Sequence, residues 1–451
     1  MKRAQSLALL LVLVGASELA CRHSNRSASS RGYEGAAPSL PAIPSSRLAS
    51  EESHDPPPRP LRRCFANRPP WEEAPVADLL DGAGKLFDAD DFEGALACAE
   101  EAARQAPRSV EAHHDRAAAL LHLGRIEEAR DSLALALALD PDDAETLEAS
   151  ADLFINQLSA SADRSAIGLE HARRGFRKAV GRDRGRAARL ALLEGQALID
   201  LGRSEEAAHR LSLALSLSPR LEAAEYERGV ALFELCRFAE ARRAFRRVAA
   251  SSSDRAHAAY HLALIEERDQ DFRAADEHFA EATLRDPVAF PKPPEVSADE
   301  FAKRVGRIVA ELPDDVRADL AEAKLETADL PALGDLIAEK PPLSPTILGL
   351  FRGLPLGADA ELDPRSQAAR APKGRRPAST AMPAARDSGD ARAAGVSCGP
   401  LDRAIVLYRR NLLRSVRDLA ALDEAIKRTL LHEIGHLRGE DDGSLRDRGL
   451  E

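Results

Sequence analysis

Leu123-Gly-Arg-Ile-Glu-Glu-Ala129, Leu201-Gly-Arg-Ser-Glu-Glu-Ala207 and Leu235-Cys-Arg-Phe-Ala-Glu-Ala241 are three copies of one phrase. The last two stand 34 residues apart. The same step forward reaches Asp269-Gln-Asp-Phe-Arg-Ala-Ala275. The same step back from Leu123 reaches Ala89-Asp-Asp-Phe-Glu-Gly-Ala95. Pro107 and Pro141 keep this spacing, and Pro219 and Pro287 are two steps apart. Each phrase reads as a turn between two helices. The Gly or short polar residue turns the chain, the Ala lets the helices approach closely, and the Pro ends the second helix. Gly195 and Gly229 take the small position of the first helix, and Phe245 and Phe279 the large apolar position of the second.

A 34-residue helix–turn–helix period with these marks resembles the tetratricopeptide repeat. Six units are expected, at 76–109, 110–143, 144–187, 188–221, 222–255 and 256–289. The third runs long, and its extra residues near Ser159 to Ser165 read as an extended inter-helix loop. The resemblance implies an α-solenoid whose concave face holds a protein or peptide partner, each unit burying its faces against its neighbours. His113, His114 and His122 share one first helix, and His257 and His261 lie four apart on another. They read as surface or groove polarity rather than as metal ligands.

Composition agrees with a mostly helical chain. Of 451 residues, 44% are apolar and only 4% aromatic, while Ala, Leu, Glu and Arg abound. The chain is long enough for two or three domains. Its 63 Lys and Arg against 74 Asp and Glu leave a net charge of −11, which argues against a general nucleic-acid binder. The short basic runs Arg59 to Arg63 and Lys373 to Arg376 lie in Pro-rich sequence and read as solvated linker charge.

The N-terminus reads as an address. Lys2 and Arg3 precede an apolar run from Leu7 to Val14, then Gly15, Ala16 and Ser17. This is a basic, an apolar and a cleavage-like region in order, so residues 1–20 are expected to be a signal peptide. The run is too short to span a bilayer comfortably. Cys21 stands where a bacterial lipoprotein carries its lipidated cysteine, although Glu18 replaces the usual apolar residue. Cleavage near Ala16 or Ala20 without lipidation is the alternative. Residues 21–75, rich in Ser and Pro, have too little apolar content to fold and read as a disordered tether. The expected location is exported, in the periplasm or cell envelope, with membrane contact only through a lipid at Cys21. Cys64 and Cys398 fall in expected linkers. Cys98 and Cys236 lie inside helical repeats and are expected to pack as small hydrophobes.

A Pro-rich linker at 290–297 follows the repeats. Ser297-Ala-Asp-Glu300 reads as a capping box that opens a helix with Phe301, Val305, Ile308, Val309 and Leu312 on one face and Pro313 at its end. Strands are expected at Ala323 to Asp329, Thr346 to Leu350 and Ala404 to Tyr408. Residues 363–399 read as a disordered insertion. A last helix is expected from Ser415 to Leu437, with Leu419, Ile426, Leu430 and Leu437 as its apolar face.

That helix contains His432-Glu433-Ile434-Gly435-His436. Two imidazoles four residues apart share a helical face and can chelate one zinc. Glu433 can take a proton from water at the metal. The sequence ends at Glu451, too soon for a glutamate ligand on a further helix, and no Met-turn follows. A ligand close behind is expected instead. Gly439 can end the helix left-handed, and Asp442 can then swing round, giving His-Glu-x-x-His-x-x-Gly-x-x-Asp. Glu440 and Asp441 are less favoured alternatives. Tyr408 and Arg409 are the nearest candidate donors to an oxyanion, and neither is chosen.

Residues 298–451 resemble the small bacterial zincin-like metallopeptidases. The resemblance lies in Phe301 to Pro313, Ile347-Leu-Gly-Leu-Phe-Arg-Gly-Leu-Pro-Leu356, Ile405-Val-Leu-Tyr-Arg-Arg-Asn411 and Thr429-Leu-Leu-His-Glu-Ile-Gly-His436. Leu437 replaces the family's second His after the motif, and Phe351 stands where the family usually has Tyr. The resemblance implies a compact α+β zincin with His432, His436 and Asp442 as zinc ligands and Glu433 as base. The expected fold class is mainly α, a tetratricopeptide α-solenoid followed by a small α+β zincin-like domain. Two functions fit. One is an exported zinc metallopeptidase whose repeats recruit substrate or partner. The other is an envelope scaffold with a non-catalytic zinc site.

Overall fold

The computed structural model describes residues 64, 75–248, 250, 252–357 and 403–450. The expected signal peptide, Cys21, the insertion at 363–399 and Cys398 lie outside them. The chain divides into two compact units that part between Ala289 and Phe290.

The first unit is built of helix pairs. They are α1 (Val76–Asp88) with α2 (Phe92–Gln105), α3 (Val110–His122) with α4 (Ile126–Leu139), and α5 (Ala144–Asp152) with α6 (Ala162–Ala179). Then follow α7 (Arg184–Asp200) with α8 (Ser204–Leu217), α9 (Glu222–Glu234) with α10 (Phe238–Arg247), and α11 (Arg255–Arg268) with α12 (Phe272–Arg285). The turn within five of these pairs passes through the left-handed region, at Asp90, Gly124, Gly202, Cys236 and Gln270. After it, the second helix opens in one of two ways. Asp91 and Asp271 cap it by accepting from the main-chain N–H three residues on. Arg125, Arg203 and Arg237 instead form forked pairs with Glu128, Glu206 and Glu240 at 2.6–2.9 Å. The last residue before Pro107, Pro141, Pro219 and Pro287 leaves the helical region, as proline sterics require.

Glycine sets how closely the paired helices approach. A Cβ at Gly195 would lie 2.4 Å from Leu211 Cγ, and one at Gly229 would lie 2.5 Å from Phe245 Cε1. Leu211 and Phe245 are fully buried there.

Two expectations fail in this unit. The extra residues of the third repeat do not form a long loop. A π-helical turn at Leu153–Gln157 continues α5, and α6 starts at Ala162 and runs 18 residues. Both helices absorb the excess, because Ile155 and Leu153 bury against Gly168 and the array core. Nor is Cys98 a free packing residue. It forms a disulfide with Cys64, Cα to Cα 5.8 Å. Residue 64 therefore lies against the first pair beside Leu79, Ala83, Cys98 and Ala102. Spacing alone could not show this, since the two cysteines share no short motif. Cys236 is half-buried in the array, and burial pushes its thiol up to about 11.

The second unit opens with α13 (Ala298–Ala310), capped by Ser297 as its sequence suggests. Pro313 then starts α14 (Asp314–Leu320). Strands β1 (Lys324–Ala328), β2 (Gly349–Arg352) and β3 (Ala404–Tyr408) form a sheet in the order β1-β3-β2. β3 pairs parallel with β1 and antiparallel with β2, so β2 is an edge. A short α15 (Leu333–Leu336) lies between β1 and β2. After β3 come α16 (Arg409–Arg414), α17 (Leu419–Leu437) and α18 (Asp442–Asp447). β3 is buried throughout, as its unbroken apolar run demands. Ile405 and Leu407 face α17, meeting Leu430, Ile434 and Leu437 on one side and Leu422 and Ile426 on the other. Phe301, Val305 and Ile308 of α13 close that core. The last helix starts later than expected, because the chain between 409 and 418 forms α16 and then the Asp418 cap. Leu419 consequently lies at the helix start, 42% exposed, and is not part of the apolar face. Among the described residues, no helix is long and apolar enough to cross a membrane.

Candidate metal centre

α17 carries His432, Glu433 and His436. It ends in two hydrogen bonds that define a Schellman turn. Gly439 N–H donates to His436 O at 3.0 Å and Glu440 N–H to Gly435 O at 2.9 Å. Gly439 has φ 84° and supplies the left-handed residue. The turn sends the chain back along the helix, and Asp441 caps α18 through its bond from Ser444 N–H. Asp442, the first residue of α18, thereby faces the two imidazoles.

The geometry is close. His436 Nε2 lies 3.0 Å from His432 Nε2 and 3.2 Å from Asp442 Oδ1, and His432 Nε2 lies 3.9 Å from the same oxygen. These three side chains offer ligand atoms all within 4.8 Å of one another. The other ring nitrogens are engaged. His432 Nδ1 meets Leu450 O at 2.7 Å and His436 Nδ1 meets Glu440 O at 3.1 Å. A carbonyl can only accept, so each Nδ1 carries a proton and donates. Both Nε2 lone pairs then converge, together with a carboxylate, on one point. Two nitrogen lone pairs at 3.0 Å repel unless a cation lies between them. Tetrahedral zinc, with bonds of about 2.0–2.1 Å, holds its ligand atoms about 3.3 Å apart, close to these spacings. The donor set therefore fits zinc.

Electrostatics point the same way. Burial alone would lower the His436 pKa, but Asp442, Glu433 and the Glu440 carbonyl together raise it. The site attracts positive charge. Burial pushes the Glu433 carboxyl up to about 7, against the pull of His436 and the Phe351 N–H. Glu433 points at the β2 edge. A Cβ at Gly349 would lie 2.9 Å from Glu433 Oε1 and 2.7 Å from Thr429 Cγ2. Glycine at 349 makes room for the carboxylate, a role that no motif in the sequence marks.

Other second-unit contacts hold the frame. Asn411 Nδ2 donates to Pro345 O and Ile347 O, bracing the approach to β2. Arg438 grips Asp319 at 2.6–2.7 Å and ties the end of α17 to α14. The two candidate oxyanion donors differ. Tyr408 is fully buried, and burial first, then the charges of Asp335 and Glu433, push its phenol up to about 12. Arg409 is engaged with Asp329 and with Val296 O. Glu440 and Asp441, the alternative ligands, have other partners. Glu440 pairs with Arg448, and Asp441 caps α18. In the first unit, His261 Nδ1 donates to His257 O at 2.9 Å and the ring stacks on Phe245 at 4.9 Å, and burial lowers its pKa to about 4.

Residues 386–450 match the family of zincin-like metallopeptidases, and residues 83–144 and 226–289 match the tetratricopeptide repeat. The chain carries tetratricopeptide repeats followed by a zincin-like segment. Its fold is mainly α, a tetratricopeptide solenoid with a small α+β part near the C-terminus. Similar solved structures include that of Pseudomonas aeruginosa pilF, 14% identical, covering 47% of this chain and 92% of that one with a TM-score of 0.41. PilW, a type IV pilus biogenesis factor, is 19% identical, with 48% and 96% covered and a TM-score of 0.42. YrrB, a tetratricopeptide protein with an unusual peptide-binding site, is 18% identical, with 42% and 93% covered and a TM-score of 0.34. No curated protein matches the chain.

Proposed function

We propose that this chain is an exported zinc metallopeptidase whose repeats hold the protein or peptide it acts on. The observation that carries the proposal is the convergence of His432 Nε2, His436 Nε2 and Asp442 Oδ1 beside a buried Glu433. When bound, zinc supplies Lewis acidity at a peptide carbonyl and acidifies a neighbouring water. His432, His436 and Asp442 would hold it. Glu433 takes a proton from the attacking water onto its carboxylate and returns it to the leaving amine. A purely structural zinc site has no use for a buried carboxylate in that position.

The Cys64–Cys98 disulfide supports an oxidising compartment, and so export. A lipid at Cys21 would then anchor the chain in the envelope. For partner binding, the support is a polar row across first helices. Asn156 donates to Gln196 at 3.4 Å and Gln196 to Glu227 at 3.0 Å. We assign this row to the concave face as the surface for an extended peptide.

The scaffold reading has one observation in its favour, since Arg409 is taken up by Asp329 and Val296 O and supplies no oxyanion donor. The two readings share the metal and differ in turnover. Zinc content and peptide cleavage by the purified chain, each repeated with His436→Ala, separate them. The proposal expects about one zinc per chain and cleavage, both lost in the variant. Zinc without cleavage of a broad peptide library selects the scaffold.

A further inference from the structure

We propose that the stretch Asp442–Leu450 is a clasp on the metal centre, and that the main-chain carbonyl of Leu450 is the positioning group for His432. The proposal rests on the metal reading above and adds what holds the ligands in place.

α18 ends in the same way as α17. Gly449 has φ 72°, its N–H donates to Arg446 O at 2.8 Å, and Leu450 N–H donates to Leu445 O at 3.0 Å. This second Schellman turn, ten residues after the first, folds the chain back so that Leu450 O meets His432 Nδ1. Two anchors fix the stretch to the rest of the unit. Leu445 is fully buried against Gly435, where a Cβ would lie 2.2 Å from Leu445 Cδ2. Arg448 Nη1 pairs with Glu440 Oε2 at 2.5 Å. Glu440 is itself the residue whose carbonyl holds His436.

One short stretch thus supplies the Asp442 carboxylate and Leu450 O, and pins the loop that supplies Glu440 O. An imidazole without such a partner rotates and moves its proton between its two nitrogens. A carbonyl on Nδ1 selects the tautomer with Nε2 free, fixes the ring plane and raises the basicity of the ligand. Here both orienting groups are main-chain atoms. The identity of the Leu450 side chain should therefore matter little, while its presence in the chain matters much. Gly435, between the two ligating histidines, has a matching reason: it admits Leu445 under the helix.

The test compares the full chain, a chain ending at Gly449 and the Leu450→Ala variant. Zinc affinity is read by competition with a chromogenic chelator, and site geometry by the visible spectrum of the cobalt(II) form. Thermal melts confirm that all three are folded. The shortened chain should bind zinc about 10–100-fold more weakly, the loss usual for an outer-shell partner, with an altered cobalt spectrum. Leu450→Ala should match the full chain in both. Equal affinity and an identical spectrum in the shortened chain would overturn the proposal. Equal weakening in Leu450→Ala would overturn it too, since the side chain and not the carbonyl would then be at work. A full chain that takes up neither zinc nor cobalt overturns the metal reading itself, and the clasp with it.

Discussion

His432, Glu433 and His436 are legible because their spacing is dictated by the helix. Residues four apart share a face whatever else the fold does. Asp442 is also legible, since Gly439 announces the turn that brings it back. Removing Asp442 by Asp442→Ala should weaken zinc by more than loss of an outer-shell partner does, beyond about 100-fold, in the same chelator competition. The fold should survive, because Asp441 and not Asp442 caps α18. The supporting residues were not legible. Gly349 and Gly435 are needed for the space they leave to Glu433 and Leu445, and space across a fold has no local signature. Leu450 and Glu440 act through carbonyls, which every residue has.

Elements were read best where one helix or strand carries its own rule. The 34-residue phrase places both helices of each repeat, since turn, close-packing Ala and closing Pro recur together. The structure adds that the turn residue is left-handed at five equivalent positions, two of them Gly and three of them Asp90, Cys236 and Gln270. At Gly229 the demand is steric rather than conformational. Gly229→Ala should destabilise the array by about 1–3 kcal/mol by overpacking Phe245, measured in a urea titration. Gly124→Ala, in open space but at φ 72°, should cost about 1 kcal/mol through the backbone alone. The long third repeat departs from the loop its sequence suggests, because extra residues can lengthen helices as readily as loops. A π turn continues α5 without a break in its hydrogen bonding, and no residue type signals it. In the second unit, β3 was found to the residue from its apolar run, while β2 begins three residues later than expected. Gly349 begins an edge strand that only pairing with β3 defines.

At the scale of the whole chain, a repeat array and a zincin-like segment were both visible in sequence, the first by period and the second by motif. The cysteine link was not. Two cysteines 34 residues apart, one of them before the first repeat, meet only because the first helix pair folds against residue 64. Arrays of this kind fray from their ends, since each repeat leans on its neighbours. The disulfide closes a loop over the first pair and should stabilise it by about 3–4 kcal/mol on the loop-entropy estimate. Cys64→Ser should therefore reduce amide-exchange protection in α1 and α2 while leaving α9 to α12 unchanged. Uniform protection across the array in the variant would deny the disulfide this local role.

In the proposed function, Glu433 turns a zinc site into a catalyst. The most direct measurement is zinc content together with peptide cleavage, in the purified chain and in Glu433→Gln. Equal zinc in both, about one per chain, and cleavage in the parent alone are expected, because Gln keeps the shape but cannot accept the proton. Equal cleavage by the two proteins, or zinc in both with no cleavage in either, would contradict it.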